Sequence, residues 1–243
     1  MINKLVTNGC SYMFNYTSGG GHIDLAKKLG IATAEDISIS GSANSRILRT
    51  TMKHSYMTEE PTLYVLGMTF VSRSEIPILQ STDYTFEGRW TNPQNQDFEN
   101  RWEHFWTRKD TEDYVEMKTR TEVYSLIDRT EDLMYNMLAV IDSLKSRGHQ
   151  ILMFQQADKD YWGINNPKLD LFDSTPNILN GFKWSAMEYQ HEHGVEKLVL
   201  GPDTPVSMLP SPPTPVYQMK PASGQHEILN QFLADYIKKH KLA

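Results

Sequence analysis

A serine stands directly after a short β-prone run. Residues 3–8 read NKLVTN, and Gly9-Cys10-Ser11 closes them. In open α/β sheets, ligands collect at the carboxyl ends of strands, so a hydroxyl placed there is a nucleophile candidate. Gly9 frees the turn to bend sharply, and a helical turn after it would aim backbone N–H groups at an anion. The triplet is half of a G-x-S-x-G elbow, but Met13 replaces the second glycine, so the α/β-hydrolase motif is absent. Taken alone, such a serine also reads as an ordinary turn residue. Three further stretches offer small or polar groups: Gly41 with Ser42, Asn44 and Arg46; Gly67 and Thr69 with Ser72, Arg73 and Glu75; and Lys220-Pro221 with His226. Gly, Asn and Ser amides converging on one point are what oxyanion stabilisation requires.

These groups need elements to position them. Gly19 to Ile31 reads as a glycine-rich entry into a short helix stopped by Gly30. Residues 36–40 (DISIS) alternate and read as a second strand. Asn44 to about Met57 is helix-compatible, with Ile47, Leu48 and Met52 on one side. Pro61 starts a third strand, whose run Leu63–Leu66 is apolar on both faces, the mark of a buried parallel strand. The order β-α-β-α-β predicts an open α/β sheet with right-handed crossovers. Residues 70–110 break the rhythm with Tyr84, Phe86, Trp90, Trp102, Phe105 and Trp106, and an insertion of this size reads as a lid or a contact surface. A long amphipathic helix follows over 111–147, capped by Gly148. Residues 150–155 are a fourth strand, 181–192 a helix, and KLVL at 197–200 a further β-prone run. Residues 202–221 hold seven of the twelve prolines, which excludes helix or central strand. Ser223 then N-caps a last helix with Ile228, Leu229, Phe232, Tyr236 and Ile237 on its apolar side. The expectation is one domain over residues 1–243, an α/β/α sandwich around a mainly parallel sheet of about five strands.

Composition narrows the function classes. The 243 residues carry 24 Lys+Arg against 30 Asp+Glu, a net charge of -6, which argues against a nucleic-acid partner. Hydrophobic residues reach 39%, enough for a packed core and too many for a disordered chain. The lone Cys10 excludes intrachain disulfides and CxxC motifs and fits a reducing compartment. No run approaches the roughly 18 apolar residues of a membrane span. The first residues, MINKLVTNGCSYMFNYT, lack the apolar core of a signal peptide, so the expected location is cytoplasmic, with no membrane partner.

Four short blocks, taken in order, resemble the SGNH (GDSL-type) hydrolases, and the resemblance runs from residue 5 to about 236. Thr7-Asn8-Gly9-Cys10-Ser11-Tyr12 is similar to that family's first block, and most to the NGCSY form of phage-encoded members. Gly41 through Ile47 (GSANSRI) is similar to the second, and Leu66-Gly67-Met68-Thr69 with Ser72, Arg73 and Glu75 to the third. Pro221 through Tyr236 is similar to the last block and its closing helix. The resemblance implies a flavodoxin-like three-layer α/β/α fold and esterase or acyl-hydrolase activity without a cofactor. If the protein is phage-encoded, it implies a location in the host cytoplasm. It maps the nucleophile onto Ser11 and one oxyanion donor onto Gly41. The family's oxyanion asparagine falls on Thr69, so Asn44 or the threonine hydroxyl has to stand in. Its D-x-x-H-P motif falls on Tyr217, Gln218, Met219, Lys220 and Pro221, so catalytic Asp and His are both replaced. Without a positioned base, a serine hydroxyl is a poor nucleophile. Candidate replacements are His226, Lys220 in a Ser-Lys arrangement, or a histidine from elsewhere such as His22 or His54.

Other motifs carry less. His191-Glu192-His193 has ligand types, but positions i and i+2 on a helix diverge, so it reads as a solvated helix end and no metal is expected. Asp158, Asp160, Asp170 and Asp173 lack the spacing of a Ca²⁺ loop. Gly19-Gly20-Gly21 lacks the Lys-Ser/Thr of a P-loop. Cys10 reads as a small packed residue, and the tryptophans of 90–106 as a satellite core, an oligomer contact or a stacking surface. Two function classes follow. One is a serine hydrolase of a small-molecule or carbohydrate-linked ester. The other is a noncatalytic SGNH-fold binding protein, such as a phage structural or host-interaction component.

Overall fold

The structure is a computed structural model. It describes residues 2–39, 42–69, 73–77, 102–106, 126–156, 172, 175–182, 184–193, 197–199, 217–219 and 225–243. In chain order the strands of its main sheet are β1 (Lys4–Gly9), β2 (Thr33–Asp36), β3 (Thr62–Met68) and, further on, Gln150–Gln155. Helices α1 (Ser11–Ser18), α2 (Gly21–Leu29) and α3 (Asn44–Met57) connect the first three strands. After β3 come β4 (Arg73–Pro77), β5 (Trp102–Trp106) and α4 (Leu126–Ser146), so Gln150–Gln155 is β6. A 3-10 turn at Leu179–Phe182 then leads to α5 (Ala186–Glu192), β7 (Lys197–Val199), β8 (Tyr217–Met219) and α6 (Gln225–Lys239).

The sheet has the order β2-β1-β3-β6, and all three pairings are parallel. Alternation along each strand divides the core. Val6, Tyr64, Leu66, Met68, Ile151 and Met153 face one side, under Ile47 and Leu48 of α3 and Met134, Met137, Ile141 and Leu144 of α4. Leu5, Leu63, Val65, Leu152 and Phe154 face the other, under Leu25 and Ala26 of α2 and Leu229, Leu233, Ala234 and Ile237 of α6. Every residue of β3 is buried, as its double-sided apolar run predicts. Both expected glycine stops occur: Gly30 and Gly148 adopt φ of 72° and 81°, and the residues after them bond back to Ala26 and Leu144.

Three expectations change. The second strand lies at Thr33–Asp36 and not at 36–40, because the pairing Thr7↔Asp36 already ends the ladder there. The chain still tracks β1 beyond that point, through Ile37 N to Thr7 O (2.9 Å) and Ile39 N to Gly9 O (3.2 Å). The run at 197–200 does not join the main sheet: Lys197–Val199 pairs antiparallel with Tyr217–Met219 in a separate ribbon. Among the described residues the parallel sheet therefore has four strands. The outer edge of β6 is covered by irregular chain, with single parallel bridges Met153↔Ile178 and Gln155↔Ser185 and a bond from Asn177 Nδ2 to Ile151 O (2.7 Å). Covering that edge leaves fewer ladder groups open to another chain. The two ends of the aromatic insertion pair antiparallel, from Arg73↔Trp106 to Pro77↔Trp102. The rest of the insertion, residues 111–125, Ser223, and Asp158, Asp160, Asp170 and Asp173 lie outside the described residues.

Candidate functional site at the carboxyl ends of the strands

The ends of β1 and β3 are flush, with Gly9 opposite Gly67. Asn8 anchors the first. Its Nδ2 lies 3.0 Å from Ile47 O and 2.9 Å from the hydroxyls of Thr50 and Thr51 on α3, and its Oδ1 accepts from Gly9 N at 2.9 Å. This fully buried amide fixes the point at which the chain leaves the sheet. Two residues later Ser11 opens α1, at the carboxyl end of β1 as the sequence predicts. The turn demands glycine for steric reasons. A Cβ on Gly9 would lie 2.5 Å from Met13 Cβ and 3.0 Å from Gly67 O.

On the next strand, Thr69 and Asn44 form a bracket. Asn44 Nδ2 donates to Thr69 O at 3.0 Å and Asn44 Oδ1 accepts from Thr69 N at 2.8 Å. Asn44, expected at the rim as a stand-in oxyanion donor, thus has its amide engaged with the Thr69 backbone. It is 2% exposed, and its amide ties the start of α3 to the end of β3. The Thr69 backbone N–H is thereby occupied, but its hydroxyl is buried with no hydrogen-bond partner among the described residues. Beside it, Ser42 closes a turn onto Ile39 O through both N and Oγ (3.2 and 2.6 Å), and the buried Arg46 guanidinium donates to Ser42 Oγ at 3.0 Å. Gly41, between those anchors in sequence, lies outside the described residues, as does Lys220.

The histidines are dispersed. His226, on the first turn of α6, packs edge-on against Tyr16 with ring centroids 5.0 Å apart. Its Nε2 occupies the space a Cβ on Gly19 would fill, at 2.6 Å. Gly19 follows the last turn of α1, and eight residues of helix, about 12 Å, separate it from Ser11. His226 therefore packs at the far end of α1 from Ser11. Burial lowers its pKa, partly opposed by Asp24, and neither ring nitrogen has a partner among the described residues. Tyr16 below it donates to Asn230 Oδ1, and Asn230 Nδ2 reaches Gly21 O (3.0 Å) and Asp24 Oδ2 (2.8 Å). Burial, then Asp24 and Asp36, raise the Tyr16 pKa well above its usual value.

His54 is also elsewhere. It sits on the last turns of α3, with Nδ1 2.9 Å from the buried Tyr64 hydroxyl and Nε2 3.3 Å from Glu35, which pairs with Lys4 at 2.6 Å. Ten residues of helix, about 15 Å, separate it from Asn44 at the site end. His22 opens α2 near Asp36. Burial lowers its pKa, against the opposing pull of the Asp36 carboxylate and the Thr17 carbonyl. That carboxylate accepts from Thr7 Oγ1 (2.9 Å), Thr17 Oγ1 (2.7 Å) and Ser38 N and Oγ (3.1 and 2.6 Å), a cluster absent from the sequence reading. At the other end of the chain, His193 turns its Nδ1 to Tyr189 O at 2.8 Å.

One polar residue at the strand ends escaped the sequence reading altogether. Gln156 follows β6, and its N–H donates to Met68 O at 3.1 Å. Its Oε1 accepts from Cys10 Sγ at 3.8 Å and its Nε2 donates to Met13 Sδ at 3.4 Å. Nothing in the text QILMFQQAD singles it out, because its partners are 146 and 143 residues away.

No family model matches the chain, and no curated protein matches it. Among solved structures it is similar to a Bacteroides fragilis protein described as a "putative acylhydrolase", at 10% identity and a TM-score of 0.46, over 98% of this chain and 88% of that one.

Proposed function

We propose that this protein is a serine ester hydrolase of the SGNH kind, acting on a small-molecule or carbohydrate-linked acyl ester. One observation carries the proposal: Ser11 is the first residue of a helix that starts immediately past the carboxyl end of an inner strand in a parallel sheet of order β2-β1-β3-β6. The first N–H groups of α1 have no intrahelical acceptor. They are donors fit for charge that develops on a substrate oxygen. In this reading Ser11 attacks the acyl carbon and passes its hydroxyl proton to the base. The start of α1, the Gly41 amide and the Thr69 hydroxyl receive the oxyanion. The base returns the proton to the leaving alcohol, and water then releases the acyl group from Ser11. Lys220 is the base retained here. The resemblance puts the family's base at that position, while His226 packs on Tyr16 and His54 bonds to Tyr64 and Glu35.

The test is labelling with a fluorophosphonate probe, combined with a panel of short acyl esters. The expected result is labelling of Ser11 and hydrolysis that vanishes in Ser11→Ala. Rates should rise toward alkaline pH, as an amine base requires, and fall in Lys220→Met by several orders of magnitude. If the probe leaves Ser11 unlabelled and Ser11→Ala equals wild type on every ester, the enzyme reading gives way to that of a noncatalytic binding protein.

A further inference from the structure

We infer that Gln156 is a substrate-contacting amide donor of the Ser11 site, a proposal that rests on the hydrolase reading above. Gln156 belongs to the end of β6, and Ser11 to the end of β1, with β3 between them. The Gln156 side chain crosses that intervening strand. Its amide lies on Gly67, where an added Cβ would come within 2.3 Å of Gln156 Cδ and 2.5 Å of Oε1, so the crossing requires the bare backbone of glycine. Beyond Gly67 the amide ends against Cys10 and Met13, the residues one before and two after Ser11.

Those contacts satisfy the amide poorly. Gln156 is 5% exposed, so its amide has left water almost completely. A primary amide has two N–H donors and a carbonyl with two lone pairs. Among the described residues its partners are a thiol and a thioether, both weak, and its second N–H has no acceptor among them. Burying an amide on such terms is unfavourable unless another partner completes it. Asn8, Asn44 and Asn230, by contrast, all have oxygen acceptors or a backbone donor at 2.8–3.0 Å. Gln156 thus keeps a donor with no oxygen acceptor among the described residues, and it does so beside the first turn of α1. An oxygen bearing developing negative charge completes it: the acyl oxygen of an ester as Ser11 attacks. The low dielectric of a nearly dry position strengthens that bond.

The experiment is steady-state hydrolysis of short-chain p-nitrophenyl esters by the full-length protein, with rates divided by the number of Ser11 sites that a fluorophosphonate probe titrates. Gln156→Met preserves length and removes the amide; Gln156→Glu preserves shape and places a carboxylate there. Each is expected to lower kcat per titrated site about 10²–10³-fold, with KM within about threefold of wild type. Gly67→Ala, which pushes the amide aside without altering it, should produce the same pattern. A purely structural role would lower the titrated fraction or the melting temperature and leave kcat per site alone. Wild-type kcat per site in any folded variant of the three, with Ser11→Ala inactive, overturns the role of Gln156 and spares the hydrolase reading. A wild-type protein whose Ser11 cannot be labelled, with hydrolysis equal to that of Ser11→Ala, overturns both.

Discussion

Replacing Gly9 by alanine tests how tightly the strand-to-helix turn is packed. The added methyl would stand 2.5 Å from Met13 Cβ, 3.1 Å from Met13 Cγ and 3.0 Å from Gly67 O. Non-bonded carbons are at their optimum about 3.5–4.0 Å apart, so the overlap with Met13 is roughly 1 Å. Neither obstacle yields easily. Met13 Cβ is fixed to the backbone of α1, and Gly67 O belongs to an inner strand paired on both sides. The first turn of α1 must therefore tilt away from the sheet, and it takes Met13, fully buried, out of its packing. Overpacking of this kind costs about 1–3 kcal/mol, and the rigidity of both neighbours puts Gly9→Ala in the upper half of that range. The smaller unfolded-state entropy of alanine returns only about 0.4–1 kcal/mol. The expected net loss is about 1–2.5 kcal/mol, read as a lower urea midpoint with an unchanged m-value in denaturation followed by circular dichroism. For a chain of this size, that corresponds to a melting temperature lower by about 2–10 °C. A Gly9→Ala protein within about 0.5 kcal/mol of wild type would refute the reasoning, because the strand-to-helix turn would then have room that the described contacts deny it. Gly67→Ala makes the internal comparison: its obstacle is the far end of a flexible glutamine, so its stability cost is expected to be the smaller of the two.

Two further perturbations address the rest of the site. Asn44→Ala strips the Thr69 N–H and C=O of their partners in a fully buried position and is expected to cost about 2–4 kcal/mol by the same urea titration; a loss below about 1 kcal/mol would mean that the bracket is replaceable. The acid limb of stability is expected to flatten in His226→Phe. Burial holds the His226 pKa below the value of 6.5 that it has in the unfolded chain. The unfolded state therefore binds the extra proton as pH falls through that value, and stability present above it is lost below it. His22 and His149, also lowered by burial, share the limb, so the variant removes one proton's part of the slope, at most about 1.4 kcal/mol per pH unit. Superimposable stability–pH curves for wild type and variant would contradict this account.

The sequence by itself determined what depends on near neighbours. The run Leu63–Leu66 announces a strand buried on both faces, and all of β3 is buried. The stripe through Met134, Met137, Ile141 and Leu144 announces a helix with one buried side, and those four residues pack on the sheet. Gly30 and Gly148 announce helix ends because only glycine takes a positive φ there without a steric penalty. The position of Ser11 just past a strand was legible for the same reason: apolar alternation and a breaking glycine are both local. Tertiary structure decided every pairing between groups distant in the chain. Thr33–Asp36 became the second strand because its register with Lys4–Thr7 came first, although the alternation of 36–40 is stronger. Asn44, a plausible donor by type, is consumed by the backbone of Thr69, 25 residues away. His226 follows Lys220 closely in sequence, yet α6 lies against α2 and the end of α1, which carries the ring to Gly19 and away from Ser11. Gln156 had no pattern to betray it, because its significance lies in crossing a glycine on one strand to reach the helix that follows another. Periodicity records which face of an element is apolar. Which element that face meets, and which polar group is left with a donor to spare, is settled only when the layers close.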